Sequence, residues 1–250
     1  MELFIKLYVI LIGLAIGSFL NVLIYRIPLK ISFVKGSSFC PKCNHKLKPL
    51  DLFPVFSYVF LGGKCRYCKA KISPRYPLIE ILNAVCYFLV YQAYGVHFVT
   101  PLYFVVCSSL IVLTWIDFDY KIIPDRFHII IGICALAAGF LSRDLSWADR
   151  LIGLVVVSVP VLIIAMITGG MGAGDVKLFA VCGLLLGWKL NLLVMLIASV
   201  TASIYGVALM LFQKAEKKTE IPFGPFISLG TIVCLLWGNS FIQWYVSLLR

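Results

Sequence analysis

Gly169-Gly170-Met171-Gly172-Ala173-Gly174-Asp175-Val176-Lys177 separates two strongly apolar segments with a run of glycines that ends in a carboxylate and a lysine. Four glycines in six positions are a poor choice inside a helix, where each costs about 1 kcal/mol relative to Ala. A helix therefore ends here. With apolar chain on both sides, the break lies at a membrane boundary, where irregular backbone is tolerated only if it is buried in protein or lines a wet cavity. An ionisable residue at such a place marks a functional site, which makes Asp175 the first residue to explain. The glycines also remove side-chain bulk beside it, so that an extended substrate backbone can approach.

Outward from this stretch the whole chain reads as membrane protein. Of its 250 residues 62% are hydrophobic and 13% charged, and the mean hydropathy is +1.01, where soluble domains carry about a quarter charged residues. Apolar runs at 4–25, 77–94, 101–116, 127–141, 151–168, 176–186, 190–212 and 225–247 predict about eight transmembrane helices. No small-residue cleavage site follows the first run, which is expected to be a retained span. Gly13 and Gly17 within it are expected to let a second helix approach closely. The fold class is all-α and polytopic, divided into a first helix (1–27), a hydrophilic insert (28–76) and a membrane core (77–250).

Charge sets the orientation. The segment from Arg26 to Arg75 carries eleven Lys/Arg and a single acid, Asp51. If it is cytoplasmic, that face also gathers Lys121, Arg126, Lys177, Lys214, Lys217 and Lys218, seventeen basic residues in all, against five (Lys6, Arg143, Arg150, Lys189 and Arg250) on the other face. The positive-inside rule then puts the insert inside, both termini outside, and Asp117 and Asp175 at the same cytoplasmic face. Because the net charge of +11 follows topology and no nucleic-acid motif accompanies it, a nucleic-acid partner is not expected.

Within the insert, Cys40-Pro41-Lys42-Cys43 and Cys65-Arg66-Tyr67-Cys68 form two C-x-x-C knuckles 21 residues apart, the spacing of a four-thiolate zinc site. Four thiolates leave no open coordination position, so the zinc is expected to be structural, in a segment too short of apolar core to fold alone. Two disulfides are the competing reading, disfavoured in a reducing cytoplasm. His45 reads as a bystander on the loop surface, and Cys86, Cys107, Cys134, Cys182 and Cys234 as plain apolar side chains.

Asp117, ending the third span, and Asp175, opening the sixth, are the carboxylates that this topology allows to meet. Two facing carboxylates share a proton, one then activating water as a base and the other donating to the substrate as an acid. That pair hydrolyses a peptide bond without metal or covalent intermediate. The same residues also fit a second reading as ordinary interfacial acids, as Asp119 does, with Asp125 an N-cap after Pro124.

Gly172-Ala173-Gly174-Asp175 resembles the G-x-G-D signature of intramembrane aspartyl proteases, and Asp117 followed by Ile123-Pro124-Asp125 resembles the companion D-x6-P-[DN] motif of type IV prepilin peptidases. Gly17-Ser18-Phe19-Leu20-Asn21, the paired Cys knuckles, Ser57-Tyr58 and Arg75-Tyr76-Pro77-Leu78-Ile79-Glu80 are similar to that family's N-terminal half. The resemblance implies a bacterial inner-membrane endopeptidase, its active site facing the cytoplasm. It removes the basic leader of prepilins and pseudopilins and then methylates the new N-terminus with S-adenosylmethionine. It implies Asp117 and Asp175 as the catalytic pair, Gly172, Gly174, Lys177 and Asp125 as supporting motif residues, and Asp51 and Glu80 as methyltransferase residues. Asp51-Leu52-Phe53-Pro54 departs from the D-N-I-P wording of many members, and Glu80 also reads as a headgroup-level acid paired with Arg75. A membrane scaffold whose zinc loop docks a partner is the non-enzymatic alternative. A transporter fits less well, because its carboxylates belong at the midplane.

Overall fold

The structure, a computed structural model, describes residues 1–32, 36–142, 144–213 and 221–248. Lys35, Arg143, Lys214, Lys217, Lys218 and Arg250, all counted for the charge bias, lie outside the described residues. Among those described the chain is helical and without strands, apart from the isolated bridges Phe39–Lys46 and Lys64–Lys71. Its helices are α1 (Glu2–Arg26), α2 (Phe56–Phe60), α3 (Arg75–Tyr94), α4 (Thr100–Tyr120), α5 (Asp125–Leu141), α6 (Trp147–Val156), α7 (Ser158–Thr168), α8 (Ala173–Leu186), α9 (Trp188–Gln213) and α10 (Gly224–Leu248). The chain divides into two compact units, Met1–Val96 and His97–Arg250.

Among the described residues six helical stretches are long and apolar enough to cross a membrane: Glu2–Arg26, Arg75–Tyr94, Thr100–Tyr120, Trp147–Thr168, Trp188–Phe212 and Gly224–Leu248. The fourth of these is α6 and α7 end to end. They are jointed at Val157 because Pro160 has no N–H for the Val156 carbonyl, and the Ser158 hydroxyl donates to the Leu154 carbonyl nearby. The remaining two expected spans are present as shorter helices. At 17 and 14 residues, α5 and α8 reach about 26 and 21 Å at 1.5 Å per residue, short of the ~30 Å hydrocarbon core. The last is a protein-enclosed helix: α8 packs against α5, α6, α7, α9 and α10, and its Leu178, Phe179 and Cys182 are fully buried.

In the first unit α3 packs along α1, although the sequence grouped it with the membrane core. The contact is backbone-close. A Cβ at Gly13 would stand 2.6 Å from the Ala84 Cα, and one at Gly17 2.7 Å from the Glu80 Cα. Asn83 Nδ2 donates to the Gly13 carbonyl at 2.7 Å, and Asn21 Nδ2 to the Tyr76 carbonyl at 3.2 Å. Gly17→Val is expected to force the helices apart at a cost of about 1–3 kcal/mol, read as a lower melting temperature in micelles; an unchanged melting temperature would show that this contact does not limit stability.

In the second unit, Arg150 corrects a detail of the sequence reading. It is not in an outer turn: it lies on α6, only 2% exposed, with Nη1 donating to the Leu184 and Leu185 carbonyls at 3.2 Å each. A cation there completes the last turn of α8 and complements the negative end of its dipole. The five scattered cysteines, Cys86, Cys107, Cys134, Cys182 and Cys234, are all buried in the protein.

Candidate active site

The glycine run works as a chain break in two steps. Gly169 ends α7 at φ +63° in the left-handed region, with its N–H on the Ala165 carbonyl. Extended Gly172 then caps α8, whose first helical residue is Ala173. The helix thus begins three residues before the expected 176, and Asp175 stands inside its first turn, where the N-terminal dipole favours a carboxylate.

Asp175 and Asp117 are 8% and 5% exposed. Asp117 lies in the last turn of α4, which closes at Lys121 with a left-handed C-cap. The two are brought together through Ile123, in the α4–α5 turn. A Cβ on Gly174 would lie 2.9 Å from the Ile123 Cβ, and one on Gly224 would lie 3.0 Å from the Ile123 Cδ1 and 2.8 Å from Asp117 Oδ2. Gly224, which opens α10, donates its N–H to Asp117 Oδ2 at 3.0 Å. The two carboxyls are near enough for the charge of Asp117 to act on Asp175. Three glycines, Gly172, Gly174 and Gly224, therefore sit beside the pair. Gly172 is the roomy one, since its Cβ would stand 3.4 Å from Asp175 Oδ2, an ordinary contact.

Around this pair Asp125 is the first helical residue of α5 and not its N-cap, which is Pro124. Its carboxylate accepts from Lys177 Nζ at 2.7 Å, and that bond holds the exposed Asp125 below the usual carboxylate range. The two supporting motif residues thus pair with each other. His128, on α5, places Nε2 3.0 Å from the Gly174 carbonyl oxygen. Neither His128 nor Gly224 was expected at the site from the sequence, where Gly224, with Pro222 and Pro225, only marks the entry to the last span. Asp119 is exposed.

The first unit holds a separate constellation. The Sγ atoms of Cys40, Cys43, Cys65 and Cys68 lie within 4.8 Å of one another, with Cys40 and Cys68 at 3.9 Å. Tetrahedral zinc with Zn–S near 2.3 Å requires sulfurs about 3.8 Å apart, so the donors fit that metal, and all four are free thiols. Both knuckles fold alike. Asn44 and Lys69 adopt left-handed backbone, the Asn44 N–H returning to the Cys40 carbonyl and the Lys69 N–H to the Cys65 carbonyl. Burial works against ionising Cys40, but the Cys43 and Lys42 amides and the neighbouring thiols outweigh it and bring its pKa down to about 7.

Asp51 braces this loop. Its side chain, 4% exposed, accepts from Arg66 Nε at 2.6 Å, from the Tyr67 hydroxyl at 3.0 Å and from the Lys48 N–H at 3.1 Å. Burial opposes ionisation, yet these donors hold the carboxyl below its ordinary range. Tyr67 in turn stacks on His45 with ring centroids 3.6 Å apart; His45 is exposed and outside the thiol cluster, as expected of a loop-surface residue. Glu80 is 7% exposed and accepts the Val55 N–H at 2.7 Å. Both acids line a cavity of about 580 Å³, with Ser18, Asn21, Tyr58 and Tyr76 among its other walls.

With this geometry in hand, comparison with known proteins gives two family matches: the bacterial peptidase A24 N-terminal domain over residues 11–94 and the type IV leader peptidase family over residues 104–207. Proteins named prepilin leader peptidase/N-methyltransferase are similar along nearly the whole chain. The one from Aeromonas salmonicida is 33% identical, covering 96% of this chain and 93% of its own. That from Pseudomonas aeruginosa is 32% identical, covering 95% and 92%. That from Bacillus subtilis is 34% identical, covering 94% and 96%. No solved structure matches the chain.

Proposed function

Since the chain belongs to the prepilin leader peptidase/N-methyltransferase family, we propose that it is a multi-pass enzyme of the bacterial inner membrane that cleaves the basic leader of prepilins or pseudopilins and methylates the new N-terminus. The observation that carries the peptidase reading is the buried pair, Asp117 and Asp175, on helix ends that Ile123 and the glycines hold together. One ionised carboxyl takes a proton from water as the water attacks the scissile carbonyl. The protonated partner donates to the carbonyl oxygen, and that proton economy reverses as the amine departs. The Gly224 N–H, by donating to Asp117 Oδ2 at 3.0 Å, orients that carboxyl. Bareness at Gly172 gives an extended substrate backbone room beside Asp175, whereas bareness at Gly174 lets Ile123 pack against the peptide. The excess of basic residues in the insert supports a cytoplasmic active site by the positive-inside rule, the side on which prepilin leaders would lie. The non-catalytic scaffold is not favoured.

For the second activity we assign S-adenosylmethionine to the 580 Å³ cavity of the first unit, of a size usual for small-molecule sites. When bound, it supplies an electrophilic methyl group. Tyr58 and Tyr76 offer aromatic faces, and Glu80 a carboxylate for the incoming ammonium. Asp51 acts through the loop, tying the Cys65–Cys68 knuckle to the cavity wall. Zinc on Cys40, Cys43, Cys65 and Cys68 has a structural role.

The test is mass spectrometry of a full-length prepilin incubated with the purified protein in micelles, with and without S-adenosylmethionine. Leader loss in both and one added methyl group only with the donor are expected; an intact substrate beside a folded enzyme would overturn the peptidase. In the same assay Gly224→Ala, whose Cβ would press on Asp117 Oδ2, should slow cleavage by about tenfold or more while methylation of a pre-cut pilin continues. Cleavage at the native rate would show that Gly224 does not shape the site.

A further inference from the structure

His128 is a buried group beside the Gly174–Asp175 peptide that the reaction above does not use. Its side chain is 7% exposed. At 3.0 Å from the Gly174 carbonyl oxygen, its Nε2 can only be the donor, because a carbonyl accepts. The carbonyl belongs to the peptide that leads into Asp175. Across that peptide the Ile123 side chain occupies the space a Gly174 Cβ would need, so the peptide is gripped from two sides. The other ring nitrogen, Nδ1, is buried 3.5 Å from Asp125 Oδ1, the oxygen that accepts from Lys177 at 2.7 Å. The start of α5 is thus fastened to the first turn of α8 on both sides of Asp175, at residues 174 and 177.

The two fastenings are unequal. Lys177 and Asp125 are 54% and 69% exposed, and such solvated pairs hold geometry weakly. The His128 bond is enclosed, where an unmet donor is costly. Asp175 needs a backbone anchor, because its Oδ1 is buried with no hydrogen-bond partner among the described residues. Catalytic groups must stay within about 0.5 Å and 10–20° of productive geometry.

We propose that His128 is a positioning residue of the peptidase, its Nε2–H holding the Gly174–Asp175 peptide so that the Asp175 carboxyl faces Asp117. This rests on the reading that Asp175 belongs to the catalytic pair. Misplacing a reacting group by about 1 Å costs on the order of 100-fold in rate. His128→Leu should therefore lower kcat by roughly 10- to 100-fold and leave KM within about twofold. His128→Gln, whose side-chain amide can replace the Nε2–H, should recover most of it.

The experiment measures cleavage by the full-length enzyme in micelles for the native protein, Asp175→Asn, His128→Leu and His128→Gln, each with its melting temperature. Native cleavage lost in Asp175→Asn upholds the catalytic reading, and the His128 pair then decides this one. Slow His128→Leu with fast His128→Gln at equal stability supports the positioning role; a His128→Leu enzyme with native kcat, or a His128→Gln enzyme as slow as it, overturns the role. A second measurement is independent of activity. The chain has three histidines, so the ring ¹⁵N signals can be assigned by their loss in His128→Gln. A protonated Nε2 at His128 is expected, and an unprotonated Nε2 would overturn the proposal whatever the kinetics.

Discussion

Asp117→Asn and Asp175→Asn are each expected to lower leader cleavage by about 10³-fold or more, and the double variant is expected to be no slower than either. General acid and base contributions each reach about 10²–10⁴-fold, and groups that act on one shared proton are lost together, so their effects do not add. Asparagine suits the test because it keeps the shape of the carboxyl and can still accept the Gly224 N–H that Asp117 receives at 3.0 Å. Stability should hold or rise, since each change removes a buried ionisable group. Methyl transfer to a pre-cut pilin should persist in both variants, because the cavity assigned to the donor is lined entirely by residues of the first unit. Cleavage above about 1% of native in either single variant would remove that residue from the mechanism. Loss of methylation alongside cleavage would instead show that the two units do not work separately.

What the sequence made legible is what backbone chemistry and topology dictate. Consecutive glycines between apolar runs fix a helix break, and Gly169 and Gly172 perform it as C-cap and N-cap. Counting spans puts Asp117 and Asp175 at one face, and knuckle spacing names the four thiols that converge. Contacts between distant segments leave no such signature. Gly224 is 107 residues from Asp117 and reads only as the entry to a span. His128, within an apolar run, looks like any core histidine until the Gly174 carbonyl is seen beside it. Helix surroundings are hidden for a related reason: an apolar run has the same composition whether lipid or protein surrounds it, so the packing of α8 against five neighbouring helices could not be read from the run at 176–186. Asp51 is a mixed case: its motif draws attention to methyl transfer, and its bonds to Arg66, Tyr67 and Lys48, which no motif shows, make it also a brace of the loop.

Removing the metal is expected to unfold the insert while sparing the peptidase unit. Structural zinc in small domains binds with about 10–16 kcal/mol, and that energy has few substitutes here. Among the described residues of 28–76 only Cys40 and Cys65 belong to the buried apolar set, besides Ile27 at their edge, whereas Leu50, Phe53, Val59 and Phe60 are more than half exposed. Holding the knuckles apart would also separate Arg66 and Tyr67 from Asp51 and open the cavity wall. The purified enzyme should therefore carry one zinc per chain by elemental analysis, and Cys43→Ser should lose most of it. After chelation, trypsin should cut faster within the segment Arg26–Arg75, with its eleven Lys/Arg, than it does in the zinc-loaded protein. Methylation should fall with the metal, and Asp117–Asp175 cleavage should fall less, since the four clustered thiols all belong to the first unit. Retained protection without zinc would mean that the loop holds by packing alone. Equal loss of both activities would mean that the insert also presents the substrate to the aspartates.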